Sequence, residues 1–404
     1  MSLAAQRNKM HPERGRPLVF FTGNRSEFGL LEPVIRSVRS DFDIKVIASG
    51  THLNLDQGRS LDEVRTNIPP EELIVIGGEA DYQSRLGPSK WIESTVGALS
   101  SELARLDPLA LVVLGDRLEA FVGATAGFLL GIPIVHMGGG NITGGELWDD
   151  SLRFGISSLA HLHLVTCKTN RMNLLKTGIE GWRVHVTGNP IVQRVKDGDY
   201  ASFDELAAAL KADSTLEKGF VLFTYHPDSN NRAQVDSNIN ICLDALEASG
   251  KQVIITGPNG DPHSSVIQEA IEKRVASNSR LFFKYQLGVM LYVSAMENCS
   301  MVAGNSSSAL NETPVFAKPA IDIGSRQENR HSGTNVLRCP IDKELILNAM
   351  NNVETLDFRR ILAESTNPFD QGASGDLIRE ILKKELNDPV RLLKKNIVWD
   401  EEPS

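Results

Sequence analysis

Cysteine is scarce in this chain: four residues in 404, at positions 167, 242, 299 and 339, with no CxxC pair. That excludes a disulfide framework and fits reduced thiols packed in a core, hence a cytoplasmic protein. Long hydrophobic runs are also missing. The longest, such as Leu109–Leu114, is far too short to span a bilayer, so no membrane partner is expected. Basic charge is in deficit, with 42 Lys+Arg against 51 Asp+Glu. An acidic balance disfavours a nucleic-acid binder, which carries a basic footprint. Residues Met1–Arg16 are polar and charged and lack the apolar stretch of a signal peptide, so they read as a disordered leader. Repeats and low-complexity tracts are absent.

What is present is alternation. Short apolar runs alternate with longer amphipathic stretches, the pattern of parallel α/β sheets. Strands are expected at Pro17–Thr22, Ile44–Ala48, Leu109–Leu114, Pro133–Met137 and His161–Thr166. A second series is expected at Gly219–Thr224, Gln252–Thr256, Arg280–Phe283, Ser300–Gly304 and Ala320–Ile323. Gly188–Asp213 lies between the series and reads as a polar linker. The fold class is therefore α/β, with two doubly wound Rossmann-like domains facing a cleft. The domains are expected at 17–190 and 191–370. Residues 371–404 would form a helix crossing back to the first domain, then a tail. Ligands in such folds bind where strands end, so the loops after the strands hold the chemistry.

The first strand runs into TGNRSEFG (22–29), which is neither a Walker A loop nor GxGxxG. A helix start carrying Arg25 suits an anion, and a plain turn with a surface arginine is an equal alternative. Ser300–Gly304 runs into Asn305, Ser306, Ser307 and Ser308, then Glu312. Three hydroxyls exceed what one N-cap requires, which favours a phosphate cradle, with Glu312 available to ribose hydroxyls. The next strand leads to Arg326 and Arg330 in GSRQENR (324–330), a pair suited to a diphosphate. Asp116 ends the third strand as a general acid or base, or else as a cap for the next helix. The fourth strand enters a glycine loop, HMGGGNITGGE (136–146), whose backbone can approach a ligand closely. One of Asp149 and Asp150 is expected to cap the helix that follows. His226 closes the sixth strand as an acid, a base or a phosphate contact, or as a structural histidine. His161 and His163 alternate and could share a face, without a third ligand for a metal.

Taken in order, TGNRSEFG (22–29), GDRLEA (115–120), IPIVHMGGGNITGG (132–145), DDSLR (149–153), LAHLHL (159–164), VTGNP (186–190), TYHP (224–227), GNSSSALNE (304–312) and IGSRQENR (323–330) resemble the UDP-N-acetylglucosamine 2-epimerases. The likeness is nearest the hydrolysing branch of sialic and legionaminic acid synthesis. It implies a glycosyltransferase-B type fold, a UDP-sugar substrate, no metal or redox cofactor, and a homodimer or homotetramer. It implies elimination of UDP across C1–C2, then hydration to the free 2-epimer. Its acid–base carboxylates fall on Asp116 and Asp149 and its histidine on His226. Its uridine and diphosphate contacts fall on Arg25, Arg117, Asn259, Ser306, Ser307, Glu312 and Arg326, beside Asn305. The family's HIEGGE is HMGGGN here, so Gly138 and Asn141 replace two glutamates, the first of them catalytic. A subset acting on the diacetamido sugar bacillosamine reads HIHGGEIT, and the NIT at 141–143 is nearer to it. Phe154 replaces a histidine. Glu146, in a slightly lengthened loop, is the candidate to supply the missing carboxylate.

Overall fold

The computed structural model describes residues 15–54, 60–79, 81, 84–143, 148–212, 215–228, 232–258 and 263–398. The expected leader lies almost wholly outside the described residues.

Two parallel sheets organise the chain. The first comprises β1 (Leu18–Thr22), β2 (Ile44–Ala48), β3 (Leu73–Val75), β4 (Ala110–Leu114), β5 (Ile134–Met137), β6 (Leu162–Val165) and β7 (Val184–Val186), in the order β3-β2-β1-β4-β5-β6-β7. The second comprises β8 (Val221–Thr224), β9 (Val253–Thr256), β10 (Leu281–Lys284), β11 (Met301–Gly304), β12 (Ala320–Ile323) and β13 (Val336–Cys339), in the order β10-β9-β8-β11-β12-β13. The central strands are continuous apolar runs because helices cover both faces. Along β1, Leu18 and Phe20 enter one core while Val19 and Phe21 enter the other, the two-residue alternation of a strand. The same split divides Val221 and Phe223 from Leu222 in β8. All four cysteines are buried and unpaired.

Each sheet reverses its winding once, between β1 and β4 and between β8 and β11. Chains leave these neighbours in opposite directions, so a crevice opens at their carboxyl ends. The loops at residues 22–25, 115–117, 225–228 and 305–308 therefore meet at the two crevices.

Three strands lie outside the expected set. β3, β7 and β13 are edge strands and are only partly covered: β7 (VHV) and β13 (VLRC) are interrupted by polar residues, while β3 (LIV) is apolar throughout but only three residues long. The expected linker carries two helices, Pro190–Lys196 and Phe203–Ala209. The first is capped by Asn189 with Pro190 opening it, and the second starts with a Ser202–Glu205 capping box. The chain crosses between the sheets near Asn189 and again near Phe369, and Asn189 N–H donates to the Phe369 carbonyl at 2.8 Å. The helix Ser374–Glu385 then packs Ile378 and Leu382 into the core of the first sheet, beside the helix Arg25–Val38. Gly375 permits this approach: a Cβ there would lie 2.1 Å from Ser37 Oγ. No helix among the described residues is long and apolar enough to cross a membrane.

Candidate active site

A cavity of about 290 Å³ lies between the carboxyl ends of the two sheets. From the first sheet it is lined by Arg25, Glu27, Asp116, Arg117, Gly138, Asn141, Asp149 and Arg153. From the second come His226, Ser306, Ser307, Glu312, Arg326 and Arg330. Glu146 and Asn259 fall outside the described residues.

On the first side the organising group is Arg153, in the helix Asp149–Leu159. It is 2% exposed. One guanidinium nitrogen donates to Asp116 Oδ2; the other donates to Asp150 Oδ1 and to the Asn141 carbonyl, both at 2.8 Å. Burial, and secondarily Arg330, pull its pKa well below that of a solvated arginine. Asp150 also accepts from the Thr143 N–H at 2.9 Å, so it pins the glycine loop. Neither aspartate is the helix cap. Trp148 holds that position, and Asp149 and Asp150 occupy the first turn, where the helix dipole favours them. Asp116 likewise caps nothing: Arg117 is the N-cap of the helix Leu118–Leu129 and makes no side-chain cap bond.

The glycine loop is tight. A Cβ at Gly140 would lie 2.2 Å from the Asn170 carbonyl oxygen. Gly138 differs, since its Cβ would meet nothing nearer than 3.8 Å, yet its φ is +78°. Backbone conformation, not space, favours glycine at position 138.

Beneath Arg25 lies a carboxylate that the sequence did not announce. Glu27 is 3% exposed and accepts from the Gly23 N–H at 2.7 Å. Burial raises its pKa, and the nearby Glu119 raises it further. Glu119 approaches Arg117 Nε at 3.7 Å. Burial lowers the pKa of Arg25, opposed by Glu63. Glu63 itself accepts from the Val289 N–H at 3.2 Å, at the start of the second-domain helix Gly288–Asn298. His52 joins Thr22 Oγ1 and Ser60 Oγ, each at 2.9 Å, and burial pushes it down to about 3. His161 accepts from the Ile134 N–H at 3.0 Å, while His163 meets His136 edge-on rather than His161.

The second side is built from hydroxyls and main chain. Asn305 is 1% exposed and is not part of the cavity lining. Its side-chain oxygen accepts from the His226 N–H at 2.7 Å, and its NH₂ donates to the His226 carbonyl at 2.9 Å. Asn305 thus fixes His226, whereas Ser306 and Ser307 face the cavity. The helix after them is short, Ser308–Asn311, so Glu312 sits at its end rather than in an early turn. Burial pushes Glu312 up to about 7. Arg326 and Gln327 both donate to the Asn305 carbonyl, at 3.4 and 2.8 Å. Farther along this loop, Arg330 reaches Asp116 Oδ2 at 3.6 Å and Asn329 donates to the Thr143 carbonyl at 3.3 Å.

Two Rossmann-like units facing an arginine- and hydroxyl-lined cleft define a protein of the glycosyltransferase-B fold. The profile of the UDP-N-acetylglucosamine 2-epimerase family matches residues 36–383, and the chain belongs to that family. It is 30% identical over 351 residues to the GDP/UDP-N,N'-diacetylbacillosamine 2-epimerase (hydrolyzing) of Campylobacter jejuni, covering 85% of this chain and 89% of that one. Against the UDP-N-acetylglucosamine 2-epimerase of Neisseria meningitidis the identity is 26%, over 84% of this chain and 88% of that one. The fold matches the UDP-GlcNAc 2-epimerase of Methanocaldococcus jannaschii, solved with UDP-GlcNAc and UDP, with a TM-score of 0.75 at 18% identity over 91% of this chain and 99% of that one.

Proposed function

We propose that the protein is a hydrolysing 2-epimerase that converts a UDP-2-acetamido sugar and water into UDP and the free 2-epimer. The observation that carries this reading is the convergence of Asp116 and Asp149 on one cavity with His226, Ser306, Ser307 and Arg326. Elimination removes the C2 proton to a carboxylate and breaks the C1–O bond, whose electron pair leaves on the diphosphate. A C1–C2 double bond results. Water then adds, hydroxyl to C1 and proton to the opposite face of C2. Asp116 and Asp149 are the acid–base groups, and the Arg153 guanidinium, which donates to Asp116 Oδ2, orients that carboxylate. His226 binds or protonates the leaving diphosphate. Arg25, Arg117, Arg326 and the serines hold the diphosphate, and Glu312 takes the ribose hydroxyls.

The relative named as hydrolyzing supports water as the second reactant. The sugar is N-acetylglucosamine or N,N'-diacetylbacillosamine; the second draws support from that relative's name and from the lack of glutamate at Gly138. The family resemblance supports a homodimer or homotetramer, and four buried unpaired cysteines support a reducing, cytoplasmic setting. The lack of a carboxylate side chain at Gly138 supports one second reading, a nucleotide-sugar binding protein without turnover.

Proton NMR in deuterated water tests both. Each UDP-sugar in turn is incubated with the protein. Free 2-epimer carrying deuterium at C2, with one UDP released per sugar, is the expected result. UDP binding with both sugars left intact would replace the epimerase reading with the binding one.

A further inference from the structure

The loop Gly324–Arg330 touches both halves of the cavity. At its start Arg326 and Gln327 hold the Asn305 carbonyl, and Asn305 holds His226. At its end Arg330 meets Asp116 and Asn329 meets the glycine loop at Thr143. The Arg330 main chain is itself anchored, because Arg338 donates to its carbonyl at 2.7 Å from β13. Arg330 is 8% exposed, so its charge is directed into the molecule rather than into solvent.

Asp116 therefore has two arginine neighbours of different origin. Arg153 comes from its own domain and is locked by Asp150 and Asn141, so it stays with Asp116 whatever the domains do. Arg330 comes from the other domain, and parting the two sheets would withdraw it. We propose that Arg330 is a positioning residue for Asp116, delivered by the second domain, so that the acid–base carboxylate is fully set only while the domains are together. This rests on the role given to Asp116 above. It makes the loop Gly324–Arg330 the element that joins the leaving-group half to the proton-transfer half. Chemistry then starts only in the closed cleft, where water cannot intercept the sugar early.

Among the described residues, the charged and titratable groups facing or near Asp116 are the following. Arg153 faces it from the helix Asp149–Leu159, with Asp150 behind that arginine. Arg330 faces it from the second domain, and Arg117 follows it in the chain. Asp149 and His226 line the same cavity, and His136 lies below, its Nε2 2.8 Å from the Gly115 carbonyl. Removing Arg330 leaves all of these in place.

The test compares wild type, Arg330→Ala and Arg330→Lys in three readouts. Turnover of the UDP-sugar should fall roughly 10- to 100-fold in Arg330→Ala, as expected when an acid–base group is misplaced, and should recover partly in Arg330→Lys. UDP affinity by calorimetry should change less than about threefold, because the anchor Arg326 remains. The third readout needs no turnover: the carboxyl ¹³C signal of Asp116 in UDP-saturated protein, assigned by its loss in Asp116→Asn. Its titration midpoint should rise by about one unit in Arg330→Ala, the effect of removing one nearby positive charge. A parallel loss of UDP affinity and turnover would make Arg330 a diphosphate ligand and overturn the proposal. An unchanged Asp116 midpoint would overturn it as well. A shifted midpoint in a protein that turns over neither sugar would instead leave the Arg330–Asp116 link standing and remove the epimerase reading.

Discussion

The two walls of the cavity are made of different materials. The wall from the first sheet is a network of buried charges: Arg153 between Asp116 and Asp150, and Glu27 near Glu119 and Arg117. The wall from the second sets hydroxyls, Ser306 and Ser307, and a histidine whose main chain is clasped by an amide beside Glu312, Arg326 and Arg330. Its arginines sit on one loop rather than in the crevice floor. Moving protons demands groups whose ionisation is set by burial and neighbours. Holding a ligand that is already charged demands donors, and hydroxyls, main-chain N–H groups and arginines supply them.

The largest effect should come from breaking the charged wall at its centre. Arg153→Met takes from Asp150 its ion-pair partner and leaves Asp116 only the more distant Arg330. Removing one partner from a buried ion pair costs about 3–5 kcal/mol. The thermal midpoint should drop by roughly 6–20 °C and turnover should vanish. Calorimetric scanning and the NMR assay check both, and a stable, active Arg153→Met would show the network to be dispensable. The second wall should respond differently. Arg326→Ala should weaken UDP binding about 10- to 150-fold, the worth of one charge-assisted contact, with little change in melting.

Acid should sharpen the contrast further. His52, His136 and His161 are buried in the first domain and held neutral, pushed down to about 3, 4 and 3. In the unfolded chain they take up protons below their ordinary value near 6.5, whereas in the folded chain they resist. The unfolded state therefore binds more protons between about pH 6.5 and 4, and stability falls as pH falls through that window. The thermal midpoint should decline from pH 7 to 4.5, and less steeply in His136→Asn. An equal slope in that variant would remove His136 from the explanation. The smallest effect belongs to Gly138→Ala. Its Cβ has room, so only the left-handed backbone is penalised, by about 1–2 kcal/mol. A midpoint shift of about 2–8 °C is expected, and an unchanged midpoint would mean that the loop relaxes.

Much of the scaffold was legible because physics acts locally there. Central strands such as β1 and β4 must be apolar on both faces, and that survives in sequence as LVFFT and ALVVL. The edge strands β7 and β13 carry polar residues, VHV and VLRC, and left no such run, whereas β3 is apolar, LIV, but only three residues long. The residues that line the cavity stood out as loops after strands, which is a consequence of the doubly wound topology. Partnerships were not legible. Arg153 meets Asp116 from 37 positions away, and only its spacing of three from Asp150 hinted at a charged role. Arg330 was visible as a cation but not as a neighbour of Asp116. Asn305 read as part of the phosphate cradle, because sequence cannot tell a side chain that faces a ligand from one that clasps the chain beside it. Glu27 and Glu119 lie 92 positions apart, and their mutual effect exists only once β1 and β4 are paired.

The division of labour between the walls is tested most directly by calorimetry of UDP binding to Asp116→Asn, alongside its turnover. The account predicts UDP affinity within about threefold of wild type and turnover lowered by about 10²- to 10⁴-fold, the usual contribution of a general acid–base group. Affinity and turnover falling together would contradict it, because the carboxylate would then belong to the wall that holds the nucleotide.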